Sequence, residues 1–237
     1  MNKSRTRFLI TLIAVIVIAA VGYFWWQQSQ INPYGQREIV TWVDRGLDDD
    51  VKQYFLDEIE TQKQALTDSE AAGQADISII LQLGNLYYQM GELATSIEYY
   101  DRILKDHSTD APALENKGQS LYEMGDFAGA EQNWLKALES NQYELTYIRL
   151  AKIYNEDLPE RQAEVKDLME TAIVNLGQQK SLLLILGHWY RDNGYVDEAI
   201  SHYEIVLKLD PGNKDVQKEI DRLREQKNRE LQRQIKD

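Results

Sequence analysis

The chain has 237 residues, no cysteine and a formal net charge of −13. The lack of cysteine excludes disulfide bonds, thiolate catalysis and thiolate metal sites. Because the first 26 residues carry only basic charges, the rest of the chain has a formal charge of −16, which excludes nucleic acid as an expected partner.

The N-terminal residues predict a membrane anchor. Residues 8–26 carry no charge and, as a helix, can cross a hydrocarbon layer of about 30 Å. The basic tail 1–7 precedes this run and is expected to stay cytoplasmic, which would place the body on the other side of the membrane. A cleaved signal peptide is the alternative, since Ala20 and Gly22 supply small residues before a possible cut.

Residues 27–47 predict a linker, because proline and glycine recur in them. The stretch 39–43 within it is too apolar for a simple spacer. Two interpretations stay open at this point. Trp42 could dock on the first helix or on the membrane surface, or the stretch could be a partner-binding motif.

Residues 48–70 predict a helix that caps the N-terminal end of the body. Its first residues, 48–50, are aspartates, which favour a helix N-terminus through hydrogen bonding and the helix dipole. Its apolar side is expected to contain Val51, Tyr54, Phe55, Ile59 and Leu66.

A period of 34 residues runs through the remainder of the body. When the units are aligned, similar residues fall into columns. Within one unit, neighbouring columns lie three or four residues apart, which is the spacing of one face of an α-helix. We expect these columns to be buried, with Tyr100, Trp134 and Tyr203 between helices. The columns are Ser96, Ala130, Val165 and Ala199; Tyr100, Trp134, Met169 and Tyr203; and Ile103, Ala137, Ala172 and Val206.

This pattern resembles the tetratricopeptide repeat (TPR) family over roughly residues 77–212. The resemblance implies an all-α fold, a right-handed superhelical solenoid of four helix-turn-helix repeats within residues 77–213. A transmembrane helix would precede it, and residues 214–237 would form a C-terminal capping helix and polar tail. The repeats are expected at 77–110, 111–143, 144–179 and 180–213.

The third repeat departs from the period. It has residues 155–159, ending in a proline, where the others place a turn glycine, so its second helix is expected to begin about two residues late. This turn could be a contact surface or ordinary sequence drift.

No motif predicts catalysis, a cofactor or a metal site. The three histidines lie in different structural settings, without partners at metal-ligand spacing, and the sequence has no glycine-rich phosphate loop. We therefore expect a protein that is not an enzyme.

The family resemblance implies a concave groove formed by the first helix of every repeat. By that resemblance, the second, fifth, ninth, twelfth and thirteenth places of a repeat face the groove. They predict the partner-binding residues Leu81, Asn85, Tyr88, Gln119, Tyr122, Glu123, Ile148, Lys152, His188 and Arg191.

The charge of these places argues against one family function. Members that clamp C-terminal carboxylates use a lysine and an asparagine where this chain has Leu81 and Asn85, and Glu115 and Glu123 add negative charge nearby. Because an anionic terminus would be repelled, the groove is expected to take a neutral or basic segment.

The leading hypothesis is a membrane-anchored, non-enzymatic scaffold that binds a protein or peptide segment. It resembles bacterial envelope proteins that assist assembly, secretion or folding, and its repeats would then lie outside the cytoplasmic membrane. The alternative is a self-associating structural element of a membrane complex, a homo-oligomer.

Overall fold

The computed structural model describes residues 39–73 and 75–235. Within them the chain forms ten α-helices and one 3-10 helix, and no strand. The α-helices are α1 (Asp49–Ala71), α2 (Ile77–Met90), α3 (Leu93–Asp106), α4 (Ala111–Met124), α5 (Phe127–Ser140), α6 (Glu144–Glu156), α7 (Val165–Leu176), α8 (Lys180–Asp192), α9 (Val196–Leu209) and α10 (Lys214–Gln234).

The predicted tail 1–7 and transmembrane helix 8–26 lie outside the described residues. Of the helices that the structure describes, none is both long enough and apolar enough to span a membrane.

Helices α2 to α9 form four consecutive pairs, which confirms the prediction of an all-helical repeat fold. All members of the three predicted columns are buried between these helices. Tyr100, Trp134 and Tyr203 are each at most 1% exposed, as the period predicted.

Glycine makes room for the buried aromatic rings. A Cβ atom on Gly118 would lie 2.5 Å from two atoms of the Trp134 ring, and Gly84 and Gly187 face Tyr100 and Tyr203 in the same way. The Trp134 indole N–H also donates a hydrogen bond of 3.2 Å to the carbonyl of Glu115. The aromatic column therefore depends on the small residue in the facing helix.

The third repeat inserts a 3-10 helix, Pro159–Glu164, between α6 and α7. This helix brings the Arg161 guanidinium to 2.8 Å from the buried carboxylate of Glu131, which also accepts a hydrogen bond of 2.8 Å from the Tyr154 hydroxyl. The departure from the period thus supplies a cation that compensates a buried acid.

The capping helix α1 is packed unevenly along its predicted apolar side. Ile59 and Leu66 are buried, but Val51 and Tyr54, which lie on the same side of the helix, are exposed, so this side is covered only toward the C-terminal end of α1. The 23 residues of α1 make it longer than the 14-residue α2 on which it packs, and its first turns project beyond that helix.

Candidate partner-binding site

The ten residues predicted to bind a partner all keep some exposure. Lys152 and His188 are exposed, and the other eight are half-buried. They lie on the first helices of the four repeats, α2, α4, α6 and α8. The contacts that the structure shows bring them together in three groups.

The first group joins repeats one and two around Glu123. The Tyr88 hydroxyl donates a hydrogen bond to the Glu123 carboxylate, and the Gln119 side-chain amide donates another of 3.0 Å. Burial, followed by the hydrogen bond to Glu123, raises the pKa of Tyr88, so the phenol stays protonated and can donate. Three predicted residues therefore form one hydrogen-bonded cluster.

A cavity of about 240 Å³ opens at this cluster, lined by amide and tyrosine side chains of α2, α3 and α4. Its lining includes Asn85, whose side-chain oxygen accepts hydrogen bonds from the Tyr100 hydroxyl at 2.9 Å and from the Asn116 amide at 2.8 Å. Asn85 was predicted from its place in the repeat, whereas Asn116 was not. Amide groups lining a cavity can bind the backbone of an incoming segment.

The second group is a pair across repeats two and three. The Lys152 ammonium lies 5.4 Å from the centre of the Tyr122 ring, a cation–π distance. A hydrogen bond with the Tyr122 side chain raises the pKa of Lys152. Tyr122 is half-buried, and its ring also packs against Phe127 and Trp134 at centroid distances of 5.6 and 5.9 Å, whereas Lys152 is exposed, so the ammonium group is the more accessible member of the pair.

The third group belongs to repeat four. Arg191 lies 2.6 Å from the carboxylate of Asp192 and 3.5 Å from that of Glu219 on α10. His188 packs its ring edge against Tyr203, and partial desolvation, with a smaller contribution from Arg191, lowers its pKa. The cationic charge of Arg191 is therefore already partly neutralised.

Leu81 and Ile148 are the two remaining predicted residues. Leu81 packs partly against the apolar core formed by α1, α2 and α3. Ile148 is half-buried on α6. Neither joins a polar cluster, so either could offer only apolar contact area.

Glu115 does not face the groove as the sequence predicted. It is 8% exposed, accepts a hydrogen bond from the Thr146 hydroxyl and pairs with Arg149 at 3.1 Å. Burial raises its pKa, and the two partners oppose that rise. Its place in the helix points it toward α6, so its charge is not presented to a ligand.

Residues 39–46, which we call the strap, pack across the turns of repeats one and two. The Val40 N–H donates to the Met124 carbonyl at 3.0 Å, and the Val43 N–H donates to the Gly91 carbonyl at 3.0 Å. The Thr41 carbonyl accepts from the Ala94 N–H at 3.1 Å. These partners belong to helix ends and to the turn between helices, where backbone groups lack intrahelical partners.

This packing corrects the interpretation of residues 39–46 as part of a free linker. The Trp42 side chain is 51% exposed, and backbone groups of its neighbours make the hydrogen bonds of the strap, so docking of Trp42 and a partner-binding motif both stay predictions. The free groups at two adjacent repeat turns provide the physical reason for the packing of the strap.

The strap carries Arg45 into the first group. One guanidinium nitrogen of Arg45 lies 2.7 Å from the Glu123 carboxylate and donates to the Tyr88 carbonyl at 3.1 Å, and the group lies 4.8 Å from the centre of the Tyr88 ring. No pattern in the sequence predicts this contact, since the strap lies outside the repeat period. We call Arg45, Tyr88, Gln119 and Glu123 the Tyr88 site.

The described residues hold no group of three or more histidine, aspartate or glutamate side chains that could bind a metal ion. Nothing in residues 39–73 and 75–235 points to catalysis. The chemistry available on the first helices is recognition through hydrogen bonds, aromatic faces and charge.

Two tetratricopeptide repeat models match the chain, over residues 81–144 and 182–217. The BBSome complex member BBS4 of Bos taurus is 28% identical over 134 residues, which are 56% of this chain. This chain spans only 25% of the length of that relative.

Solved structures with the same arrangement of helices include MamA, at 21% identity and a TM-score of 0.55, covering 70% of this chain and 95% of MamA. YrrB, described as a TPR protein with an unusual peptide-binding site, aligns at 19% identity and a TM-score of 0.56 over 72% of this chain and 85% of its own. A TPR protein from Parabacteroides merdae aligns at 16% identity and a TM-score of 0.57, covering 73% and 67% of the two chains. At these identities the likeness establishes the fold.

Proposed function

This chain belongs to the tetratricopeptide repeat family, and we propose that it is a non-enzymatic scaffold that binds a segment of a partner protein on the face formed by α2, α4, α6 and α8. The observation that carries the proposal is the accessible row of tyrosine, amide and charged side chains on these helices. Half-buried tyrosines give a ligand a large contact area and a polar tip without a large loss of side-chain entropy.

The charges of this face favour a neutral or basic segment. Glu123 on α4 already holds a guanidinium group at 2.7 Å, so the site is compatible with positive charge. The description of YrrB as a peptide-binding TPR protein is consistent with this use of the fold.

The experiment replaces Tyr88, Tyr122, Lys152 and Arg191 together by alanine, and we call the result the groove variant. Capture of the partner by crosslinking in native membranes should be lost, because one recognition side chain is removed from the first helix of every repeat. Helicity measured by circular dichroism should be retained, since none of the four side chains is buried.

A matched variant controls for the loss of two tyrosines and two cations. It replaces Tyr54, Tyr143, Lys105 and Arg229, which are exposed and lie outside the predicted groove positions, and it should capture the partner as the unaltered protein does. Undiminished capture by the groove variant would reject this face as the binding site.

The proposal includes attachment to a membrane through residues 8–26, with the repeats outside the cytoplasm and a role in envelope assembly, secretion or folding. Its support is the uncharged length of that segment, the basic residues before it and its aromatic end. These features are properties of the sequence alone.

Self-association is the second candidate function, and one observation favours it. Leu223 is the last buried residue of α10, and Leu231 and Ile235 beyond it are exposed, at 55% and 76%. Such apolar side chains on a projecting helix could pair with a second copy. Mass measured over a range of concentrations should then increase, and Leu231→Ala with Ile235→Ala should abolish the increase.

A further inference from the structure

We propose that the Tyr88 site is an arginine-recognition site, that the strap is its built-in ligand, and that the partner segment is a non-helical peptide whose arginine replaces Arg45. This inference rests on the proposed function and specifies the class of partner. It starts from the fact that the strap occupies the same residues that the sequence predicted to bind a partner.

The geometry at Arg45 selects a guanidinium over other groups. The planar cation faces an aromatic ring at 4.8 Å, a carboxylate at 2.7 Å and a backbone carbonyl at 3.1 Å. Both polar contacts come from the same nitrogen, Nη2, so what distinguishes arginine is that its planar group can lie over the ring while Nη2 donates to the carboxylate and the carbonyl. A lysine ammonium could donate at that point but has no planar face to stack on the ring. Tyr88 and Gln119 hold the Glu123 carboxylate in place by donating to its other oxygen.

The backbone of the strap adds recognition that does not depend on its sequence. The Met124 and Gly91 carbonyls and the Ala94 N–H would bind main-chain groups of any non-helical segment in this path. Gly91 is part of the path, since a Cβ atom there would lie 2.0 Å from the Val43 carbonyl oxygen. A partner segment can therefore reuse every backbone contact that the strap makes.

The strap is held weakly enough to be displaced. Ile39, Val40 and Trp42 remain exposed, so its apolar side chains contribute little burial energy. The buried Nε of Arg45 has no hydrogen-bond partner among the described residues, which reduces the gain from inserting this arginine. The main advantage of the strap is its covalent connection, which gives an effective concentration on the order of millimolar for a short connection.

The test uses the full chain in detergent and a fluorescent peptide with the sequence of residues 39–47 as the probe. Arg45→Ala in the full chain weakens the internal competitor, so the peptide should bind at least about tenfold more tightly to this variant than to the unaltered protein, as expected for loss of a charge-assisted contact. Fluorescence anisotropy measures the affinity. Arg102→Ala, an exposed arginine outside the site, is the matched control and should leave peptide affinity unchanged.

Two further changes test the chemistry. A peptide in which alanine replaces its arginine should lose about tenfold or more in affinity for the Arg45→Ala chain, and a lysine peptide should recover only part of that loss. Glu123→Gln added to Arg45→Ala should also lose peptide binding, although a glutamine side chain can still accept from Tyr88. Circular dichroism checks that each variant is folded, and Arg45→Lys in the full chain should give a smaller gain if Arg45→Ala does not fold.

Equal binding of the arginine and alanine peptides, or no gain in the Arg45 variants, would overturn the inference. A dimer that forms by exchange of straps and is lost in Arg45→Ala would assign the site to a second copy and also overturn it. If the peptide results fail while the groove variant still loses its partner, only this inference fails. If the peptide results hold while the groove variant still captures its partner, the site recognises arginine in the strap, but the proposed function fails and the class of partner inferred from it fails too.

Discussion

Trp134 fills a space that Gly118 leaves open, and this contact shows how single residues determine the packing of a repeat. The ring is 1% exposed, its N–H is hydrogen-bonded to the Glu115 carbonyl, and the facing helix has no Cβ atom at the point of contact. If a smaller side chain replaced the ring, the surrounding helices could fill the space only by moving whole repeats.

We therefore expect Trp134→Ala to lower the free energy of unfolding by about 3–5 kcal/mol, through lost burial and the cavity left behind. Chemical denaturation of a fragment comprising residues 39–237, followed by circular dichroism, would measure this. Val174→Ala, at a position 83% exposed, should change little. A loss below about 1 kcal/mol for Trp134→Ala would contradict a packing role for this column.

Glu115 is a second residue whose burial has a measurable consequence. Its pKa is raised above the ordinary value of 4.5, chiefly by desolvation. The folded state therefore binds the proton more tightly than the unfolded state does. The stabilising effect of that proton is present below pH 4.5 and is lost as pH rises from there through the raised pKa.

The predicted result is a difference between two titrations. Relative to Glu115→Gln, which has no titrating group there, the unaltered protein should lose unfolding free energy as pH increases across this window. Denaturation midpoints at a series of pH values provide the measurement. Glu139→Gln, an exposed charge change on α5, should run parallel to the unaltered protein, and parallel curves for Glu115→Gln would refute the burial argument.

At the scale of elements, the strap depends on the turn that ends α2. Gly91 has a φ of +87°, as Gly194 has +81° near the end of α8, so alanine is strained at both positions. Only at Gly91 would the new Cβ atom collide with the strap, since nothing lies within 4 Å of the Cβ position of Gly194. The two glycines thus separate turn strain from loss of the strap.

Gly91→Ala should therefore release the strap, and Gly194→Ala should not. Hydrogen exchange of the Val40 and Val43 amides, both hydrogen-bonded to helix ends, is the readout. We expect faster exchange at these amides only in Gly91→Ala, with both variants losing some stability from strain. Unchanged protection in Gly91→Ala would mean that the strap adjusts to a Cβ atom without detaching.

The helices of the repeats were predictable because their burial repeats every 34 residues, so each column is supported four times over. The strap was not predictable, since backbone groups and a single arginine hold it and neither leaves a periodic pattern. For repeat three, the sequence predicts only that the second helix begins late, and it does not predict the 3-10 helix. The ion pair of that helix joins Arg161 to Glu131 in the preceding repeat, so the pattern within repeat three does not reveal it. The prediction that Glu115 faces the groove is wrong for a related reason, since its partners lie on α6, the first helix of the following repeat.

At the scale of the whole molecule, charge is distributed unequally between residues 1–26 and the rest of the chain. Residues 1–26 carry only basic charges, while the rest has a formal charge of −16. Basic residues before an apolar segment favour the cytoplasmic side, which is why the repeats are proposed to lie outside the cytoplasm. The absence of cysteine makes this orientation testable with single introduced thiols.

Ser140→Cys would place one thiol at the exposed last residue of α5, and Ser4→Cys would place one in the N-terminal tail. In intact cells, a membrane-impermeant maleimide should label Ser140→Cys and should reach Ser4→Cys only after lysis, because the membrane separates the two sites. The unaltered chain, which has no thiol, controls for background labelling. Labelling of Ser140→Cys only after lysis would overturn the proposed topology.

Cleavage of the segment would give a different result. Mass spectrometry would then show a mature protein that begins near Tyr23, and Ser4→Cys would carry no label even after lysis. This outcome would identify the segment as a cleaved signal peptide and leave the repeats without an anchor.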